Sequence, residues 1–111
     1  MPLRAADVES DLWLRDYTVN AIAADISAVL SGEFAPIDPT GGLADVDART
    51  LRAISEQCLV DDPLRLLRAP RLSAELGFAI EPATAALIRK LAPSISLVSP
   101  ERQREEVMRL F

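Results

Sequence analysis

The stretch that decides the fold reads Asp62-Pro63-Leu64-Arg65-Leu66-Leu67-Arg68-Ala69-Pro70-Arg71-Leu72-Ser73-Ala74-Glu75-Leu76-Gly77. Asp62 is a favoured N-cap, Pro63 suits the first helical position, and Gly77 suits a left-handed C-cap. Leu66, Leu67, Ala69, Ala74 and Leu76 mark one face, and Arg65, Arg68 and Arg71 mark the other. The spacing predicts one helix over 63–76, capped by Asp62. Pro70 falls inside it, lacks an N–H and crowds the Leu66 carbonyl, at about 3 kcal/mol if nothing compensates. A kink is expected near Leu66–Pro70, swinging Arg71 relative to Arg65.

Downstream of this helix the chain reads as all helix. A second is expected over Pro82–Leu91, and a third opens at Ser99-Pro100-Glu101 with the same cap-then-proline order. The third is still amphipathic at Phe111 with no stop signal, so a longer parent protein is expected.

Upstream the style differs. Residues 1–14 read as irregular or partly helical. Val19, Ile22, Ala23, Ile26, Val29 and Leu30 follow helical spacing, which predicts a helix over Arg15–Leu30, closed by Gly32. Phe34–Ile37 reads as a short strand, Asp38-Pro39-Thr40-Gly41-Gly42 as a turn, and Thr50–Ser55 as a second strand. The fold class is therefore α+β and mostly α, with a helix and a short β-hairpin followed by a small helical unit. A boundary is expected near residue 60, dividing 1–60 from 61–111.

Composition narrows the function. The chain has 111 residues, half of them hydrophobic, which suits one small folded domain or a piece of a larger one. No apolar run approaches the ~20 residues of a membrane helix. One cysteine, Cys58, permits no internal disulfide, so a reducing, cytoplasmic setting is expected. The absence of histidine removes histidine catalysis and histidine metal sites from this chain. Net charge is −5, so attraction for nucleic acid must come from local arginines rather than the bulk field. Of 12 basic residues, 11 are arginine, the better type for fixed bidentate contacts with phosphates and bases.

Two features carry candidate chemistry. Asp62 and Arg65 are three apart at a helix start and would share a face. A carboxylate accepts from the exocyclic amine of cytosine or adenine, and a guanidinium donates to acceptors on the same base edge. The ordinary account is an N-cap with an i, i+3 ion pair. The Arg65, Arg68, Arg71 stripe could meet a triphosphate or an RNA backbone. It could equally be a solvated face, with Glu75 pairing Arg71.

Four ordered motifs carry a resemblance. Asp11-Leu12 followed by Leu14-Arg15-Asp16-Tyr17-Thr18-Val19-Asn20-Ala21 is similar to the Arg-Arg-Asp-Phe-Thr-(Ile/Val)-Asn-Ala segment of class II tRNA nucleotidyltransferases (CCA-adding enzymes) and bacterial poly(A) polymerases. Asp38-Pro39-Thr40-Gly41-Gly42 with Asp45 resembles their Asp-Pro-x-Gly-Gly-x-x-Asp. Asp62 to Arg65, continuing through Phe78, resembles their base-reading Asp-x-x-Arg helix. Ser99-Pro100-Glu101-Arg102 with Glu105-Glu106 resembles their final neck motif.

The resemblance implies a fragment covering the end of a catalytic head (1–60) and a helical neck (61–111), truncated at its C-terminus. It implies that the strands are the remnant of a nucleotidyltransferase sheet. Arg15 and Asp16 would contact the triphosphate or ribose of ATP or CTP, and Asn20 would hold that segment and its ligand. Asp62 and Arg65 would select the base, and Arg68 and Arg71 would serve the phosphates. Gly41-Gly42 would be a flexible turn tied to head motion. Glu101, Arg102 and Glu105 would brace the base-reading helix. The partner would be the 3′ end of tRNA or another RNA. Leu14 departs from the pattern and removes one phosphate contact.

The family's two metal ions, Mg²⁺, sit on an Asp-x-Asp strand. Asp45-Val46-Asp47 follows Gly41-Gly42 too closely to be that strand. The metal carboxylates are expected upstream of Met1, no metal ligand is expected in this chain, and the chain alone is expected to be inactive. Strands lacking their neighbours are expected to leave open edges and to favour a homodimer. The rival reading is a stand-alone helical module that binds RNA or an acidic protein.

Overall fold

A computed structural model of the protein describes residues 5–24, 26–32 and 36–110. Helix α1 spans Ala5–Trp13, and a 3-10 turn spans Thr18–Asn20. Strand β1 is Ala23–Ala24, α2 is Ile26–Leu30 and β2 is Pro36–Ile37. Helix α3 is Gly42–Asp47, β3 is Thr50–Leu51 and α4 is Glu56–Asp61. Then come α5 (Leu64–Leu76), β4 (Ala79–Ile80), α6 (Pro82–Leu91), a 3-10 turn over Ala92–Leu97, and α7 (Pro100–Met108). The α+β, mostly helical class holds. Among the described residues, no helix is long and apolar enough to cross a membrane.

The expected helix over Arg15–Leu30 does not form. Asp16 turns its carboxylate onto the Tyr17 N–H at 2.7 Å, a local bond that competes with helix formation. Thr18 N donates to Arg52 O and Ile54 N donates to Asp16 O, both at 3.0 Å. Tyr17 and Ala53 form an isolated antiparallel bridge. Long-range pairing therefore takes the backbone groups that a helix would need. Ile26, Val29 and Leu30, the end of the supposed core face, are exposed on α2.

The strands also pair differently from a hairpin of the two expected strands. Pro36–Ile37 runs antiparallel to Ala23–Ala24. Thr50–Leu51 runs parallel to Ala79–Ile80 from the far side of α5. Phe34 and Ala35 of the expected strand lie outside the described residues. Thr50–Ser55 shortens because Ser55 caps α4, its Oγ accepting from Cys58 N.

The downstream helices follow their punctuation. Helix α6 matches its expected span, and α7 opens with the Ser99 hydroxyl accepting from Arg102 N. Helix α5 ends at Gly77 in the left-handed region, φ 68°. It runs unbroken through Pro70. Asp62 lies outside it in extended backbone, with Pro63 in the cap position.

The core gathers Tyr17, Leu51, Leu59, Leu66, Ala69 and Leu72. Phe78, Ile80, Leu87, Ile88, Leu91 and Ile95 pack against it. One apolar centre thus fixes the turn after α1 against the buried face of α5. That leaves the arginine face of α5 turned toward Asp16.

Candidate nucleotide cleft

Between that turn and α5 lies a cleft of about 280 Å³, lined by Arg15, Asp16, Asn20, Arg65, Arg68, Arg71 and Leu72. Six of these were singled out from the sequence for nucleotide binding; Leu72 was not. Four arginines against one aspartate make the cleft suited to an anion with several oxygens, such as a polyphosphate.

Asp16 is 3 % exposed. Its Oδ1 accepts from Tyr17 N at 2.7 Å and from Asn20 Nδ2 at 3.3 Å. Asn20 therefore orients the carboxylate, four residues away in the 3-10 turn. Arg68 Nη1 sits 2.7 Å from Asp16 Oδ2. Oδ2 is itself buried, and this ion pair is its partner.

The four arginines are held in different ways. Arg15 is exposed and pairs with Asp11 at 3.1 Å, so it can swing to a ligand at little expense. Arg65 donates to two main-chain carbonyls, Cys58 O at 2.9 Å and Leu14 O at 3.0 Å. Arg68 is half-buried on Asp16. Arg71 is buried, with its Nε on Glu106 of α7 and its Nη1 3.1 Å from Glu75. The Glu106 hydrogen bond, above all, holds the Arg71 guanidinium protonated beyond its ordinary range; burial opposes it and Glu75 adds to it. Arg71 lines the cleft but is already claimed by two carboxylates.

Asp62 does not line the cleft. Its Oδ1 accepts from Leu64 N at 3.3 Å, and its Oδ2 is 3.3 Å from Arg102 Nη2. The expected pairing of Asp62 beside Arg65 is absent because Asp62 precedes the helix. With φ −139° and ψ 94°, it is not subject to i, i+3 geometry. Glu101 and Glu105 line a separate cleft of about 370 Å³ with Pro100 and Arg104.

Gly41 and Gly42 each have a local reason to be glycine. Gly41 caps α3 at φ 81°, a conformation L side chains rarely adopt. A Cβ on Gly42 would stand 2.1 Å from the Thr18 carbonyl oxygen. Asp45, on α3 rather than a strand, accepts from Thr18 Oγ1 at 2.6 Å and pairs with Arg52 at 3.1 Å. Its carboxylate ties α3 to the Asp16 turn. Among the described residues, no group of three or more His, Cys, Asp or Glu side chains is placed to hold a metal ion. The residues described do not fit a two-metal centre.

Residues 3–52 match the model of the poly A polymerase head domain, and residues 77–111 match that of the probable RNA- and SrmB-binding site of polymerase A. The chain belongs to the tRNA nucleotidyltransferase and poly(A) polymerase family. It is 43 % identical over 110 residues to the CC-adding tRNA nucleotidyltransferase of Geobacter sulfurreducens, covering 99 % of this chain and 24 % of that one. It is 46 % identical over 109 residues to the multifunctional CCA protein of Xanthomonas campestris pv. campestris, covering 94 % of this chain and 25 % of the relative. The CCA-adding enzyme of Bacillus stearothermophilus in complex with CTP superposes with a TM-score of 0.83 at 38 % identity, over 93 % of this chain and 25 % of that one. The chain thus spans about a quarter of the length of these family members.

Sequence reasoning missed three residues that build the cleft. Tyr17 donates from its hydroxyl to Arg65 O at 2.6 Å, joining residues 48 apart. Leu72 was visible as an apolar residue on α5, but nothing marked it as reaching the cleft wall. Glu106 was passed over for Glu101 and Glu105. Its position four residues after Arg102 gives no sign that it faces inward.

Proposed function

We propose that this chain is the nucleotide-selecting part of a template-independent RNA nucleotidyltransferase, one that adds CMP or AMP to the 3′ end of tRNA. The observation that carries the reading is the single cleft that joins Arg15, Asp16 and Asn20 to Arg65, Arg68 and Arg71. These came from two motifs about fifty residues apart. In this reading 1–60 is the C-terminal part of the catalytic head and 61–111 the neck.

Arg15 releases Asp11 and takes a phosphate. Arg68 moves from Asp16 Oδ2 toward the phosphates, and the Asp16 carboxylate so released accepts from a ribose hydroxyl. Arg65 presents N–H donors to a base edge, and Asp62 turns from Arg102 to accept the exocyclic amine. Arg102 and its neighbours on α7, Glu101 and Glu105, brace the reading helix. The Gly41-Gly42 turn lies where the head moves. Mg²⁺ would enter with carboxylates outside this chain and would supply the charge stabilisation of phosphoryl transfer.

The test is made on the full-length protein. CTP and ATP affinities and tRNA extension are measured for wild type and Asp62→Ala. The expected result is extension by wild type and a loss of base preference in the variant. Absence of nucleotide binding in wild type would favour a binding module instead.

A further inference from the structure

We propose that Tyr17 is a positioning residue for the cleft, its buried hydroxyl tying the main chain of Arg65 and so setting the guanidinium that meets the ligand. The inference deepens the proposed nucleotide reading and rests on it. Tyr17 is fully buried, and its hydroxyl lies 2.6 Å from Arg65 O. It never reaches the cleft, since it is not among the lining residues.

Arg65 is where position matters most. Arg15, Arg68 and Arg71 each lie within ion-pair distance of a carboxylate. Among the described residues, none lies within that distance of Arg65, whose partners are two carbonyls. Arg65 therefore carries the cleft's least compensated charge. A ligand oxygen or base acceptor gains most there, and a displaced guanidinium loses most.

The turn that carries Arg65 is also the least held by its own ladder. Pro70 sits inside α5, so the Leu66 carbonyl has no N–H to receive four residues on. Tyr17 attaches to the neighbouring carbonyl, that of Arg65. An external donor thus grips α5 beside its internal gap. Arg65 is fixed at its root by Tyr17 and at its tip by Cys58 and Leu14.

The experiment uses the full-length protein with Tyr17→Phe, Pro70→Ala and the double substitution. Phenylalanine keeps the ring in the core and removes only the hydroxyl. Pro70 is exposed, so alanine there restores an N–H without disturbing packing. Amide exchange over residues 64–70 is read first, followed by CTP and ATP affinity and discrimination against UTP.

Tyr17→Phe is expected to speed exchange in that turn by about three- to tenfold, the worth of one hydrogen bond. It is expected to weaken CTP affinity by a similar factor and to narrow the preference over UTP. Pro70→Ala in the same chain is expected to restore both. Unchanged exchange, exchange raised equally in every element, or a double variant no better than Tyr17→Phe would each overturn the tie. Raised exchange with unchanged affinity and discrimination would make the hydroxyl merely structural and overturn the positioning role. A wild type that binds neither CTP nor ATP would sink the function reading, leaving the exchange arm to decide the tie by itself.

Discussion

Arg71 of α5 and Glu106 of α7 form a buried ion pair between the cleft wall and the last helix. Their side chains are 9 % and 4 % exposed, so neither charge is well hydrated. Removing one partner leaves the other in poor solvent. Glu106→Ala is expected to destabilise the protein by about 3 kcal/mol, with Glu75 limiting the loss. Urea unfolding checks this, and a change under about 1 kcal/mol would show that Glu75 suffices.

The same protein should lose stability in strong alkali through Tyr17. Burial is the largest cause pushing its phenol well above the ordinary value of 10.0, and the Asp16 charge adds to it. The neutral form is therefore favoured in the folded state. Below pH ~10 neither state has lost the proton and stability is unaffected. Above it the unfolded chain ionises and the folded chain does not, so stability falls as pH rises. Tyr17 is the only tyrosine among these 111 residues. In this chain phenolate absorbance should therefore appear together with unfolding, and a phenolate signal near pH 10 in folded protein would contradict the burial of the phenol.

Gly41 and Gly42 should respond to alanine for different reasons. At Gly41 nothing lies within 4 Å of an added Cβ, so the expected loss is the conformational one, about 1 kcal/mol. At Gly42 the Cβ meets main chain at 2.1 Å and the α3–Thr18 contact must open. A loss of at least about 2 kcal/mol is expected. Thermal melts of the two variants decide it, and equal melting points would contradict the packing account.

Arg15 separates binding from stability. Its pair with Asp11 is exposed at both ends, so Arg15→Ala should change stability by less than about 0.5 kcal/mol. If Arg15 takes a phosphate, the same change should weaken CTP or ATP by about tenfold. Calorimetric titration reads both nucleotides, and unaltered affinity would remove Arg15 from the site.

The parts legible in sequence were those written in caps and prolines. Gly77 closed α5 and Pro82 and Ser99-Pro100 opened α6 and α7 as expected, because these residues act through local geometry, whereas α7 stops at Met108, before the Phe111 to which it was expected to run. The segment from Arg15 to Leu30 misled because a helical spacing of apolar residues does not reveal competing long-range bonds. Thr18 and Ile54 commit their N–H groups to partners more than thirty residues away. The cleft was legible as residue types, yet Asp62 fell outside it. Its helical periodicity was assumed one residue too early, and its backbone is extended.

The parallel pairing of Thr50–Leu51 with Ala79–Ile80 has a consequence for how the protein is made. A nascent chain that has just released Leu51 has no strand for it to meet. The partner still has about thirty residues to travel before it too emerges, a delay of a few seconds at ~5–20 residues per second. During that interval Tyr17 and Leu51, both fully buried at the end, lack the α5 side chains that cover them. The ribosome thus exposes an unfinished apolar surface before α5 arrives, and this is where a chaperone would be expected to bind.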